Sequence, residues 1–296
     1  MLEYLVFRVL GALAPRTPVR LGYWLCSIAG DVAYWLLPRR RANVRRNLSM
    51  ILRGRTEGLA VLVREVFREG AKYYFDTFRI PALSDDQLER EICLEGWDNL
   101  QRGLQRGRGV LLVSAHLGSP VLVAQILAVR HCKVTSVVER VRPQRLLDLM
   151  LRVRGSRGIR LIPISATTAN TLAEALRRNE IVGLVADRDI QKSGVAVEFF
   201  GAQTRMPTGP VMIALRTGAA LVPGFTYRRK GGGFLGRVEE PLELVRTGRL
   251  REDLEVNTQR LAAVLERAIA EAPEQWIVFE SVWPETTAEG QAGAAN

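Results

Sequence analysis

Five short apolar runs, at residues 110–113, 134–138, 159–164, 181–186 and 220–225, alternate with amphipathic stretches that open near Pro120, Pro143, Thr168 and Pro210. Runs of four to six apolar residues bounded by turn residues read as buried strands. Their alternation with helical patterns requires crossover connections and so predicts parallel pairing. The expected fold is therefore α/β, a mixed and largely parallel sheet flanked by helices. A chain of 296 residues that is 47% hydrophobic can fill the core this demands.

In open sheets of this kind, residues just beyond the strand ends line the functional crevice. His116 is one of them. It closes the apolar run 109–115 and precedes the turn Leu117-Gly118-Ser119-Pro120, where Ser119 and Pro120 read as an N-cap and a first-turn proline. The positive end of that helix would disfavour imidazolium, and the N–H groups of residues 117–119 could hold a developing oxyanion. The competing expectation is a histidine that only caps or packs the helix start.

The net charge of +11 calls for a partner or surface of opposite sign. Residues 1–60 hold ten arginines, no lysine and three acids, an excess of +7. Arg39-Arg40-Arg41 and Arg45-Arg46 directly follow an apolar stretch, residues 21–37, that contains Trp24, Tyr34 and Trp35. This pattern predicts contact with an anionic membrane surface. The stretch is short for a span and carries Asp31, which costs roughly 3 kcal/mol on insertion scales. An interfacial or re-entrant helix is thus expected first and a single N-terminal anchor second, with a buried helix of a soluble domain as the bland alternative. No motif of a nucleic-acid reader accompanies the charge, so no nucleic-acid partner is expected.

Residues 43–91 read as helical up to Pro81 and Asp85-Asp86, and residues 285–296 as a disordered polar tail. The expected division is a membrane-contact segment at 1–42, a catalytic domain at 43–284 and the tail. Cys26, Cys93 and Cys132 are scattered and suit neither a disulfide framework nor a metal site. Ser114 and Ser119 lack the surroundings of a nucleophile elbow.

Three stretches carry a more specific signal: Ala186-Asp187-Arg188-Asp189-Ile190; Gly194-Val195-Ala196-Val197-Glu198-Phe199-Phe200-Gly201; and Thr204-Arg205-Met206-Pro207-Thr208-Gly209-Pro210. With Asn43-Val44-Arg45-Arg46-Asn47-Leu48, Glu139-Arg140-Val141-Arg142-Pro143 and Pro273-Glu274-Gln275-Trp276, they make the chain resemble the bacterial lipid A biosynthesis acyltransferases. Their wording is closest to the phosphatidylinositol mannoside acyltransferase branch. The resemblance implies a glycerolipid acyltransferase-like fold and acyl transfer from acyl-CoA or acyl carrier protein to a hydroxyl of a membrane glycolipid. It implies no metal or resident cofactor, and a site on the cytoplasmic face of the bacterial inner membrane. A lysophospholipid acceptor and a decayed, purely lipid-binding protein are the alternatives.

In that family a histidine acts as general base and a carboxylate five residues later orients it. His116 matches the histidine, but Val121 stands where the carboxylate belongs. Asp187 is the expected substitute: it ends the run 181–186 as His116 ends its own, so two parallel strands would bring both to one sheet edge. Asp189 and Glu198 are the competing acids. The resemblance places Glu139, Arg142 and Arg154 near the acceptor and donor pockets; Arg188 and Arg205 are weaker candidates for phosphate contacts, and Phe199, Phe200 and Met206 either line an acyl groove or pack the core.

Overall fold

The computed structural model describes residues 2–284; the expected tail lies outside them. The chain opens with four helices, α1 (Leu2–Leu13), α2 (Val19–Leu36), α3 (Pro38–Ile51) and α4 (Leu59–Arg79). The single helical pattern expected over 43–91 is thus broken at residues 52–58, and α3 begins before the expected domain boundary at 42/43. A short α5 (Asp85–Glu91) follows, held by a reciprocal capping box between Ser84 and Gln87.

Helix α2 packs on α4 through its smallest side chains. Gly22, Cys26 and Gly30 recur every fourth residue and are buried. A Cβ on Gly30 would lie 2.6 Å from Arg68 Cα, so the two backbones approach as closely as glycine permits. Large apolar residues are consequently left outside: Trp24 is 60% and Trp35 69% exposed, beside Leu25, Ile28 and Val32. Asp31 is neutralised on the α4 side, where Arg64 and Arg68 grip its carboxylate and hold it well below the usual carboxylate range.

The α/β part follows as β1 (Ile92–Glu95), α6 (Trp97–Gln105), β2 (Val110–Ser114), α7 (Pro120–Val129), β3 (Val134–Val138), α8 (Gln144–Arg154), β4 (Arg160–Pro163), α9 (Thr168–Arg177) and β5 (Ile181–Val185). Then come the hairpin β6 (Val195–Phe199) and β7 (Ala202–Met206), α10 (Gly209–Thr217), β8 (Ala220–Arg228), β9 (Phe234–Val238) and α11 (Leu250–Glu271). Seven strands form one sheet in the order β1-β9-β8-β2-β5-β3-β4, in which only β8 and β9 pair antiparallel. All five expected strands are present. Strands β1 and β9 and the separate β6–β7 hairpin lie outside the five expected runs.

Strand β2 is buried along its whole length, and its alternate residues feed two cores. Leu111 and Val113 join the larger one with α4, α9, α10 and α11, while Val110 and Leu112 join Leu100 of α6 and Leu127 of α7 on the opposite face. Phe199 and Met206 lie in the larger core, where Phe199 stacks on Trp283 at 5.6 Å. They fill the interior and do not line an open groove.

Candidate active site

The register of β2 on β5 builds the site. Ser114 pairs with Val185, and the Ala186 N–H donates to the Ser114 carbonyl at 3.0 Å, so both chains leave the sheet at the same level. Two residues further on, His116 and Asp187 meet. The ring Nδ1 lies 2.7 Å from Asp187 Oδ1, and the His116 backbone N–H donates to Asp187 Oδ2 at 2.9 Å. A hydrogen bond to a carboxylate fixes the proton on Nδ1 and leaves Nε2 as the basic nitrogen. The imidazole is one-third exposed whereas the carboxylate is wholly buried, so the ring faces outward and its partner does not.

Burial pushes the Asp187 carboxyl upward, but it is outweighed by the charge and ring hydrogen bond of His116, the His116 backbone N–H and a third donor. Together they hold Asp187 below the usual carboxylate range. The third donor is the indole of Trp276, whose Nε1–H reaches Oδ2 at 2.7 Å. Trp276 stands in one of the stretches that carry the resemblance, but nothing in the sequence marks it as a donor to Asp187. No local signal marks a contact 89 residues away in the chain.

The segment around Trp276 also grips the histidine loop. The Ile277 N–H donates to the His116 carbonyl at 2.8 Å and the Gly118 N–H to the Gln275 carbonyl at 3.0 Å, bridging Leu117 to Trp276. Gly118 has φ +59°, and a Cβ there would sit 2.1 Å from the Thr226 carbonyl of β8. Only glycine fits. The Gly118 N–H is therefore not among the oxyanion donors expected from residues 117–119. Ser119 begins α7 without a side-chain capping bond, and its hydroxyl is buried without a partner among the described residues.

The other acids have different partners. Asp189 closes its own loop by accepting the N–H groups of Ser193 and Gly194, at 3.3 and 2.7 Å. Glu198 sits on the exposed side of β6, its backbone tied to Gln259 of α11. Neither makes a hydrogen bond or ion pair with His116. Val121 is half-buried and packs against the cluster of Ile80, Leu122, Ile126 and Phe234.

Glu139 and Arg142 are exposed beyond the end of β3, at the same sheet edge as His116. Arg154 ends α8; it donates to the Tyr73 hydroxyl at 3.0 Å and makes no salt bridge among the described residues, while its Nε is buried without a partner. Arg188 pairs with Glu280 at 3.2 Å and not with Asp187. Arg205 donates to the Gly194 carbonyl and lines an open cleft of about 640 Å³ between the β6–β7 hairpin and α11. No cluster of three or more metal-ligating side chains occurs among the described residues.

A base oriented by a buried acid at the exit edge of a parallel sheet suits proton removal from a hydroxyl. The family model described as bacterial lipid A biosynthesis acyltransferase matches residues 1–284, and the chain belongs to that family. It is an acyltransferase. Among similar proteins, a phosphatidylinositol mannoside acyltransferase of Mycobacterium tuberculosis is 34% identical over 72% of this chain and 67% of its own length. That of Mycolicibacterium smegmatis is 32% identical over 81% of this chain and 79% of its own. The lipid A biosynthesis palmitoleoyltransferase of Escherichia coli is 23% identical over 84% and 80%.

Proposed function

We propose that this acyltransferase moves a fatty acyl chain from a thioester, acyl-CoA or acyl carrier protein, to a hydroxyl of a membrane glycolipid, with a phosphatidylinositol mannoside-like acceptor favoured over a lipid A-like one. The observation that carries the reading is the hydrogen-bonded pair of His116 and Asp187 at the sheet edge. His116 Nε2 takes the acceptor proton as the hydroxyl oxygen attacks the thioester carbonyl. The buried carboxylate stabilises the imidazolium that results, and the C–S bond breaks as the thiolate leaves and takes that proton from Nε2, which returns His116 to its neutral form. The oxyanion donors narrow to the N–H groups of Leu117 and Ser119, because that of Gly118 is committed. The acceptor preference rests on the names of the relatives and their order of identity.

The same reading places the protein on a membrane. Leu5, Val6 and Val9 of α1 and Trp24, Leu25, Ile28 and Trp35 of α2 are each at least 44% exposed. The exposed Arg39, Arg40 and Arg45 of α3 follow directly in the chain. An apolar face with indoles and arginines at its margin suits burial at headgroup depth in an anionic leaflet. The docking proposed is peripheral and on the cytoplasmic face; among the described residues no helix is long and apolar enough to cross a bilayer.

One assay tests both halves: radiolabelled palmitoyl-CoA is offered to the protein on anionic vesicles containing phosphatidylinositol mannoside, lipid A precursor or lysophospholipid. Wild type is expected to sediment with the vesicles and label a glycolipid; His116→Ala is expected to sediment equally and label nothing. Label on lysophospholipid alone would reassign the acceptor. Absence of product with both CoA and carrier-protein donors would sink the catalytic reading, and failure to sediment would sink the membrane reading.

A further inference from the structure

Asp187 presents two oxygens to a buried interior, and two of its three donors come from His116 itself, so they join the pair without fixing it to the core. Its Oδ1 serves the imidazole, while Oδ2 accepts both the His116 backbone N–H and the Trp276 indole. Trp276 itself cannot turn away. It is among the largest fully buried side chains, with edge contacts to Phe199 and Trp283 at centroid distances of 6.3 Å. Its backbone belongs to the segment that hydrogen-bonds on both sides of Leu117.

We infer that Trp276 is a positioning residue of the proton-transfer machinery: its indole N–H locks Asp187 in the orientation that presents Oδ1 to the imidazole and moderates the basicity of that carboxylate. The inference rests on the dyad reading above. An indole is suited to both tasks, since it is a donor that neither titrates nor accepts, so it can lower the electron density on Oδ2 without ever taking the proton. Without it, Asp187 would be held only by the two donors of His116 itself, so the pair would lose its tie to the surrounding core, and the carboxylate would pull harder on the Nδ1 proton. His116 would then be a better proton acceptor in the wrong geometry, and the imidazolium would persist to higher pH.

Trp276→Phe keeps an aromatic ring and removes the N–H. It is expected to lower kcat roughly 10- to 100-fold, by analogy with the outer partners that orient metal-ligating histidines, with the KM values for donor and acceptor changed less than about threefold. The acid limb of the pH–rate profile is expected to move to higher pH. Trp283→Phe is the control: that indole donates to the Phe199 carbonyl and not to the dyad, so the limb should stay in place. A Trp276→Phe enzyme with wild-type kcat and an unmoved acid limb overturns the inference. If the variant does not fold, the indole ¹H–¹⁵N spectrum of the wild-type protein decides. Asp187→Asn is expected to shift one tryptophan side-chain resonance upfield as its acceptor loses charge, and no responding indole overturns the proposal. If His116→Ala retains activity, the dyad reading itself has failed. Loss in His116→Ala with none in Trp276→Phe removes only the role of the indole.

Discussion

Asp187 and Asp76 are withdrawn from solvent to the same degree, 0% and 1% exposed, yet their partners differ in kind. Asp76 of α4 lies 2.7 Å from the Arg228 guanidinium of β8 and accepts the Tyr23 hydroxyl of α2 at 2.9 Å; Arg228 also donates to Glu69 at 2.7 Å. A guanidinium stays charged at any working pH, so that cluster is a permanent clamp between α2, α4 and β8. Asp187 has no guanidinium within ion-pair distance among the described residues. It is held by an imidazole, an indole and a backbone N–H, of which only the imidazole changes charge. A buried carboxylate matched to a fixed charge holds the fold; one matched to a titrating ring is available for chemistry.

The sharpest break of this contrast is Asp187→Asn, which preserves shape and removes the charge that stabilises imidazolium. Activity is expected to fall about 10³- to 10⁴-fold, by analogy with an oriented histidine whose acid is neutralised, with the vesicle assay as the measurement. The same variant should flatten the acid limb of the stability curve. Because the folded-state pKa of Asp187 is depressed, its contribution is complete above about pH 4 and is lost as the pH falls through the lower folded value. An unchanged acid limb in denaturant titrations would contradict the assignment.

Arg228→Met works on the other member of the pair. Of cations, Asp76 then keeps only Arg79, at 3.7 Å, and Glu69 keeps Lys72, at 2.8 Å, so loss of the shared buried cation should cost about 3 kcal/mol of stability, the lower end for a broken buried pair, read from urea unfolding, while kcat per folded molecule stays within a few-fold. A large loss of kcat in fully folded Arg228→Met would mean that the clamp also shapes the site. The smallest effect is expected from Glu198→Gln. That carboxylate is exposed and does not touch the imidazole, so stability should change by less than about 0.5 kcal/mol and activity by less than twofold. A hundredfold loss would return Glu198 to the list of orienting acids.

The two carboxylates were unequally legible. Asp187 stands at a strand end next to a recognisable apolar run, and parallel pairing of two such runs is a local inference with a geometric consequence. Asp76 is buried by a crossing of α2, α4 and β8, and Arg228 lies 205 residues from Tyr23, so neither periodicity nor spacing announces the cluster. Trp276 was hidden for the same reason. The edge strand β1 and its neighbour β9 escaped because their side chains alternate between buried and less buried positions in runs of only four and five residues. Helix α2 shows the opposite case: its outward apolar face was visible in composition, and the Gly22-Cys26-Gly30 spacing carried an unread signal of close packing on α4.

The register of β2 on β5 has one more consequence, for how such an enzyme can change over generations. His116 and Asp187 are 71 residues apart, and their meeting depends on where two neighbouring strands end rather than on the chain that connects them. Loops after β3 and β4 can lengthen, shorten or exchange their side chains while that pairing holds. The His116–Asp187 pair is inherited through hydrogen-bonded backbone, and the exposed segment carrying Glu139 and Arg142 can be rewritten without disturbing it.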